Sequence, residues 1–168
     1  MKELKSLDYK ILWELIKNSR RSDRELAKVL KISQPTVTRR RSRIEAQLIE
    51  GYTAIPKWEK IGFELIAFTF VKTNKSYSNQ GKGNAILSAG KAWIMKQPNI
   101  AFALPGEGLE WDGLIMSYHK NYSDYAHFKL KLDQELSEII LESRSFIATI
   151  TEKMVVKPLH FKYLAEAK

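Results

Sequence analysis

The chain has 168 residues, a net charge of +9, 44% hydrophobic content and no cysteine. That length fits one domain or two small ones, and the lack of cysteine excludes disulfides and thiolate metal sites. No stretch is apolar enough to span a membrane, and the N-terminus MKELKSLDYK has no secretory apolar run, so a cytoplasmic location is expected.

The charge is unevenly placed. Residues 1–60 hold 15 Lys/Arg against 8 Asp/Glu, a balance of +7, whereas residues 61–168 hold 13 against 11, a balance of +2. This asymmetry points to a polyanion-binding head on a nearly neutral body.

The first predicted helix runs from Leu7 to Asn18. Leu4, Leu7, Ile11, Leu15 and Ile16 form its apolar stripe, and Asp8 sits near its positive N-terminus. Trp13 reads as packing. Arg20 and Arg21 follow, either as phosphate contacts or as solvated charges.

A second helix starts at Ser22, where Ser22 and Glu25 form an S-x-x-E capping box, and Leu26, Ala27 and Leu30 share one face. The segment Leu30-Lys31-Ile32 makes a turn. Ser33 then caps a third helix with Pro35 in its first turn. On that helix Val37, Ile44 and Leu48 form an apolar back. Arg39, Ser42 and Arg43 face the other way, with Thr38 and Arg40 on the flanks, and no acidic residue occurs between Lys31 and Ile44.

An apolar back with a front of Arg, Thr and Ser suits the DNA major groove. Arginine can hold guanine or phosphate, and short hydroxyls reach base edges. The candidate DNA contacts are Ser33, Gln34, Thr36, Thr38, Arg39, Arg40, Ser42 and Arg43. A run of arginines alone would be an ordinary solvated face; the capped helix, short turn and second cap together make a helix-turn-helix. Double-stranded DNA is therefore the expected partner and the nucleoid the expected place.

The segment LIEGYTAIPKWEKIGF follows. Leu48, Ile49, Tyr52 and Ile55 are spaced for a short strand pair or an extended linker, punctuated by Gly51 and Pro56. The expected organisation is a DNA-binding domain over 1–50, a hinge over 51–63 and a second domain over 64–168.

These residues resemble the AsnC-type helix-turn-helix of the Lrp/AsnC transcriptional regulators. Leu7-Asp8-x-x-Ile11-Leu12, Asn18-Ser19-Arg20, Glu25-Leu26-Ala27, Ile32-Ser33, Val37-x-Arg39-Arg40 and Ile44-Glu45 fall in that family's order. Ile49-Glu50-Gly51-Tyr52-Thr53-Ala54 and Ile61-Gly62 match its linker. Arg41 departs from the pattern, which has an aliphatic residue there. Its head must snorkel out between helices, to a phosphate or to an acid such as Glu45. The family's glycine after this helix is also missing, since Gln47 leads straight to Leu48.

The second half reads as βαββαβ. Strands are predicted over Glu64–Lys72, Ile100–Leu104, Leu114–Tyr118 and Ser145–Val156, with helices over Ala85–Lys96 and Tyr122–Ile140. The first helix would put Ile86, Ala89, Trp93 and Ile94 on one side. The fold class is thus α+β: a three-helix, winged-helix-like DNA-binding domain followed by a ferredoxin-like sandwich. The same order is that of the effector domain of Lrp/AsnC proteins.

The resemblance implies a homodimer, assembling further into tetramers or octamers, and an amino acid or related effector bound near the loop between the second and third strands. Carried over, the effector residues are Gly106, Glu107, Gly108, Glu110 and Asp112. Glycines allow close backbone approach, and carboxylates can receive an ammonium group.

No catalytic site, metal or cofactor is expected. His119, His127 and His160 sit apart without metal spacing, and QGKGN around Gly81 and Gly83 lacks the lysine that a phosphate loop needs. The expected function is a sequence-specific transcriptional regulator tuned by a small molecule. The alternatives are a non-specific architectural DNA-binding protein and, further back, an enzyme on the same architecture, similar to the siroheme decarboxylases.

Overall fold

The structure is a computed structural model that describes residues 4–74, 83–151 and 153–166. It divides into two compact units. The first comprises residues 1–55 together with 157–168, and the second residues 56–156.

In the first unit, α1 (Ser6–Lys17), α2 (Asp23–Leu30) and α3 (Gln34–Leu48) enclose an apolar core. Ile11, Leu26, Val37 and Ile44 are fully buried, and each large aliphatic contributes about 1.5–3 kcal/mol by leaving water. The capping box at Ser22 is present: the Glu25 amide donates to Ser22 Oγ at 3.3 Å, and the Ser22 amide to Glu25 Oε2 at 2.7 Å. Lys31 ends α2 in the left-handed region at φ 55°, so the Ile32 amide can reach the Ala27 carbonyl at 3.1 Å. A short helix, α6 (Lys162–Glu166), lies against α1 and buries Ala165. No periodic signal predicts it, because five residues are too few to show one.

No strand forms between α3 and residue 64; residues 49–57 are irregular, and a 3-10 turn follows at Trp58–Ile61. Of the two forms open to this segment in the sequence, the linker is therefore the one adopted. The missing glycine after α3 has a local consequence: the helix stops at Ile49 in an extended conformation rather than a left-handed one.

The second unit is a four-stranded antiparallel sheet in the order β2-β3-β1-β4, from β1 (Leu65–Thr73), β2 (Ile100–Gly108), β3 (Trp111–His119) and β4 (Ile140–Thr149). α4 (Gly83–Met95) and α5 (Tyr122–Glu135) complete the βαββαβ order. Val71, Ile115, Phe128 and Leu132 form the core between sheet and helices, with Trp93 and Ile94 of α4 packed against it. Side-chain positions 83–87, which include Ile86, and Gly81 lie outside the described residues.

Three boundaries differ from expectation. α5 stops at Glu135 although Leu136 stays buried, because Ile140 is already paired with Thr73. The apolar step thus outlasts the helix that it signals. β4 runs over Ile140–Thr149 rather than 145–156, since its partner β1 begins at Leu65, opposite Thr149, and offers no ladder beyond. Finally, residues 105–113 are not a loop. They are the end of a β-hairpin in which Leu104 pairs with Leu114, Pro105 with Gly113 and Gly108 with Trp111. Pro105 is tolerated because β2 is an edge strand. Leu109 and Glu110 make the two-residue turn with φ of 51° and 67°, positions where Asn-Gly would be the usual choice.

The second face of the sheet carries a row crossing all four strands. Phe102 lies opposite Met116, Met116 opposite Phe68, and Phe68 opposite Phe146. Phe102 is 52% exposed and Phe146 63%.

Candidate nucleic-acid interface

The recognition helix α3 is seated by a carboxylate on α1. Asp8 is fully buried and accepts the Lys5 amide at 2.8 Å. Arg40 Nη1 meets its Oδ1 at 2.7 Å, and Arg43 Nη2 meets its Oδ2. Burial alone would raise the Asp8 carboxyl. The Lys5 amide and the two guanidinium groups outweigh it and hold the group below the ordinary carboxylate range.

Arg41 is held too, on the opposite flank. Its Nε donates to Glu45 Oε1 at 2.8 Å, and its Nη1 to the Arg21 carbonyl at 2.9 Å and to Asp23 Oδ1 at 3.1 Å. Burial opposes the charge on Arg41, but Glu45 and Asp23 overcome it and raise its pKa. Of the two roles open to Arg41 in the sequence, pairing with an acid is the one observed.

The run of four arginines therefore divides. Arg40 and Arg43, expected on the DNA-facing side, are turned to Asp8, and Arg41 to Asp23 and Glu45. Arg39 is exposed and has no ion pair among the described residues. Ser33, Gln34, Thr38 and Ser42 are exposed beside it, and Thr36 is half-buried. Ser33 Oγ lies 2.8 Å from Thr36 Oγ1 rather than on a backbone amide, so its capping role is indirect. Ser42 Oγ donates to the Thr38 carbonyl at 3.1 Å. Arg21 pairs with Glu14, whereas Arg20 stays exposed.

What the sequence misses is Asp8. Its place near a helix N-terminus is legible, but its partners stand 32 and 35 residues away.

The expected effector residues are not gathered as a loop. Asp112 Oδ2 accepts the Thr73 amide at 2.8 Å and Thr73 Oγ1 at 2.9 Å, which pins the end of β1. Gly106, Glu107 and Gly108 are strand residues. Glu110 alone of the five lines a recess of about 190 Å³, with Lys72, Leu109, Trp111, Glu142 and Arg144. There Arg144 lies 5.9 Å from the Trp111 ring centroid, and its Nε donates to Glu142 at 2.7 Å.

His119 is fully buried, with Nε2 2.8 Å from Ser117 Oγ and Nδ1 3.6 Å from Asp124 Oδ2. This Ser-His-Asp order is not a nucleophilic site, since Ser117 is 0% exposed and no substrate reaches it. The ring packs on Tyr125 and Phe128. Burial lowers the His119 pKa, and Asp124 only partly offsets it. A histidine kept neutral in the folded state adds stability above the unfolded value, about 6.5, and loses it as pH falls toward the folded value. The second unit is thus expected to lose up to about 1.4 kcal/mol per pH unit below pH 6.5. Denaturation of His119→Gln over pH 5–7 checks this; a slope equal to that of the native chain would refute it. His127 Nδ1 lies 2.8 Å from the Ser123 carbonyl and His160 Nδ1 accepts the Lys162 amide at 2.9 Å; among the described residues no metal-binding cluster forms.

A three-helix head with a basic recognition helix, followed by a ferredoxin-like body, defines a DNA-binding regulator. Residues 4–45 match the AsnC-type helix-turn-helix domain. An uncharacterized HTH-type transcriptional regulator of Pyrococcus horikoshii, PH1692, is 39% identical over 127 residues, covering 75% of this chain and 79% of that one. The leucine-responsive regulatory protein of Rhizobium meliloti is 30% identical over 130 residues, covering 77% and 79%. In fold, the transcriptional regulator NMB0573 of Neisseria meningitidis, solved as an L-Met complex, is similar with a TM-score of 0.71 at 24% identity, over 96% of this chain and 99% of that one. The chain belongs to the Lrp/AsnC family of transcriptional regulators.

Proposed function

We propose that the protein reads a specific duplex through α3, with Arg39 at the centre of a face made by Ser33, Gln34, Thr36, Thr38 and Ser42. The observation that carries this is the division of the four arginines of α3: three have carboxylate partners, and Arg39 is the one without an ion pair among the described residues. Arg40 and Arg43 set the posture of the helix. The protein works in the cytoplasm on the nucleoid and has a binding rather than a catalytic role, a reading supported by relatives that are named transcriptional regulators.

The test is a fluorescence-anisotropy titration with the duplex upstream of its own gene and a scrambled duplex, at two salt concentrations. A preference of about 10³-fold or more supports a specific regulator. Equal, salt-sensitive binding to both would favour an architectural protein.

The body pairs with a second copy through the open sheet face. The row Phe102, Met116, Phe68 and Phe146 can meet itself across a two-fold axis, as a symmetric dimer requires. Phe146→Glu is expected to shift the sedimentation coefficient from dimer to monomer; an unchanged value would refute this face. The effector is a zwitterionic amino acid in the recess at the hairpin, where Lys72 and Arg144 suit a carboxylate and Glu110 and Glu142 an ammonium group. Here Asp112 is a structural clamp, unlike its expected role. The ligand of NMB0573, L-Met, is the first compound to titrate.

A further inference from the structure

Thr38 is exposed on α3, yet its hydroxyl is already engaged. Oγ1 lies 2.6 Å from Asp23 Oδ2 and 3.2 Å from the Gln34 carbonyl. Both neighbours are acceptors, and a threonine hydroxyl has a single proton, so that proton is spent inside the head.

Asp23 is itself fixed. Arg41 holds its other oxygen at 3.1 Å, and Arg41 is anchored by Glu45 at 2.8 Å and by the Arg21 carbonyl at 2.9 Å. Tyr52 OH closes the chain of contacts on Glu45 at 2.8 Å. With its donor committed, Thr38 has no proton left for a base acceptor, and what it offers beside Arg39 and Ser42 is its methyl group and a lone pair of its hydroxyl oxygen. Arg41 also compensates Asp23 and Glu45, two acids that would otherwise repel phosphates beside the reading face.

A threonine with a free hydroxyl can turn it to almost any base edge and so discriminates little. One without a free proton cannot donate to guanine O6 and N7 or to thymine O4; its oxygen can only accept from an amino group, and its methyl matches the one apolar group of the major groove, the 5-methyl of thymine. We propose that Thr38 is a specificity-determining residue that reads a thymine through its methyl, with Asp23 and Arg41 as the positioning residues. This rests on the proposal that α3 reads duplex DNA.

The experiment begins by selecting a preferred duplex from a randomised pool with the full-length protein. Each thymine is then replaced singly by deoxyuridine, which lacks only the methyl. At one position the native chain is expected to bind the uracil duplex about three- to fivefold more weakly, the worth of one buried methyl. Thr38→Val, which keeps the methyl and removes the hydroxyl, retains that ratio. Thr38→Ser, which does the reverse, brings it to about one. Asp23→Ala lowers the ratio and Asp23→Asn, which still offers an acceptor, restores it. A melting curve of each variant reports folding separately from the ratio. The proposal is overturned if no thymine depends on residue 38, or if valine loses the ratio as serine does. A native chain that selects no sequence would instead overturn the reading role of α3 as a whole.

Discussion

Asp8→Asn is expected to destabilise the first unit by about 3 kcal/mol. Removing one partner of a buried ion pair costs about 3–5 kcal/mol, because the remaining charge is left uncompensated in a poorly hydrated site. The lower end applies because Arg40 and Arg43 keep 17% and 28% of their side-chain surface in solvent. The Nε atoms of both arginines are buried without a hydrogen-bond partner, so neither can readily find a substitute acceptor. The same carboxylate sets an acid limit. Its folded pKa lies below the unfolded value, so its contribution is complete above about pH 4 and is lost as pH falls through the folded value. Urea denaturation followed by circular dichroism at pH 7 and pH 3 measures both effects. Unchanged stability at pH 7 would mean that Asp8 does not seat the recognition helix.

Arg39→Ala should leave stability unchanged and cost about 1–3 kcal/mol of binding to the preferred duplex, with relaxed base choice at one position. Arg40→Ala should do the opposite, lowering the melting temperature first and DNA affinity only as a consequence. The contrast is sharp because the two residues are neighbours on one helix with the same chemistry. Anisotropy titrations of both variants, each with a melting curve, distinguish them. If Arg39→Ala weakens all duplexes equally, the residue holds a phosphate; if it weakens none, α3 does not read DNA through this residue.

The head is legible in the sequence because its signals are local. The Ser22–Glu25 box, the turn at Lys31 and the apolar positions Val37 and Ile44 each lie within one or two helical turns, and the structure carries all of them. The assignment of individual arginines is not local. It depends on Asp8 and Asp23, carboxylates on other helices, and helical phase alone leaves Arg40 and Arg43 near the outward side. Arg41 is the informative case: its misfit on an apolar stripe announces a nearby acid, and the snorkelled guanidinium is found on Glu45 and Asp23.

In the body, the order of elements follows from periodicity, but the hairpin over 105–113 does not. Proline and three glycines read as a break, whereas an edge strand accepts a proline and Leu109-Glu110 take the turn that glycine would be expected to fill. The loop expected here is a hairpin for that reason. The polar residues are legible in the sequence, but a strand alternates their directions where a loop could gather them.

The segment that carries α6 is assigned to the first unit although it follows the whole of the second in the chain. On the ribosome this order matters. The body, residues 56–156, has emerged in full before Ala165, which buries itself beside α1. The packing of the first unit is therefore completed only after the whole of the second has been synthesised. A translation product that stops short of this segment would leave bare the face of α1 that α6 covers.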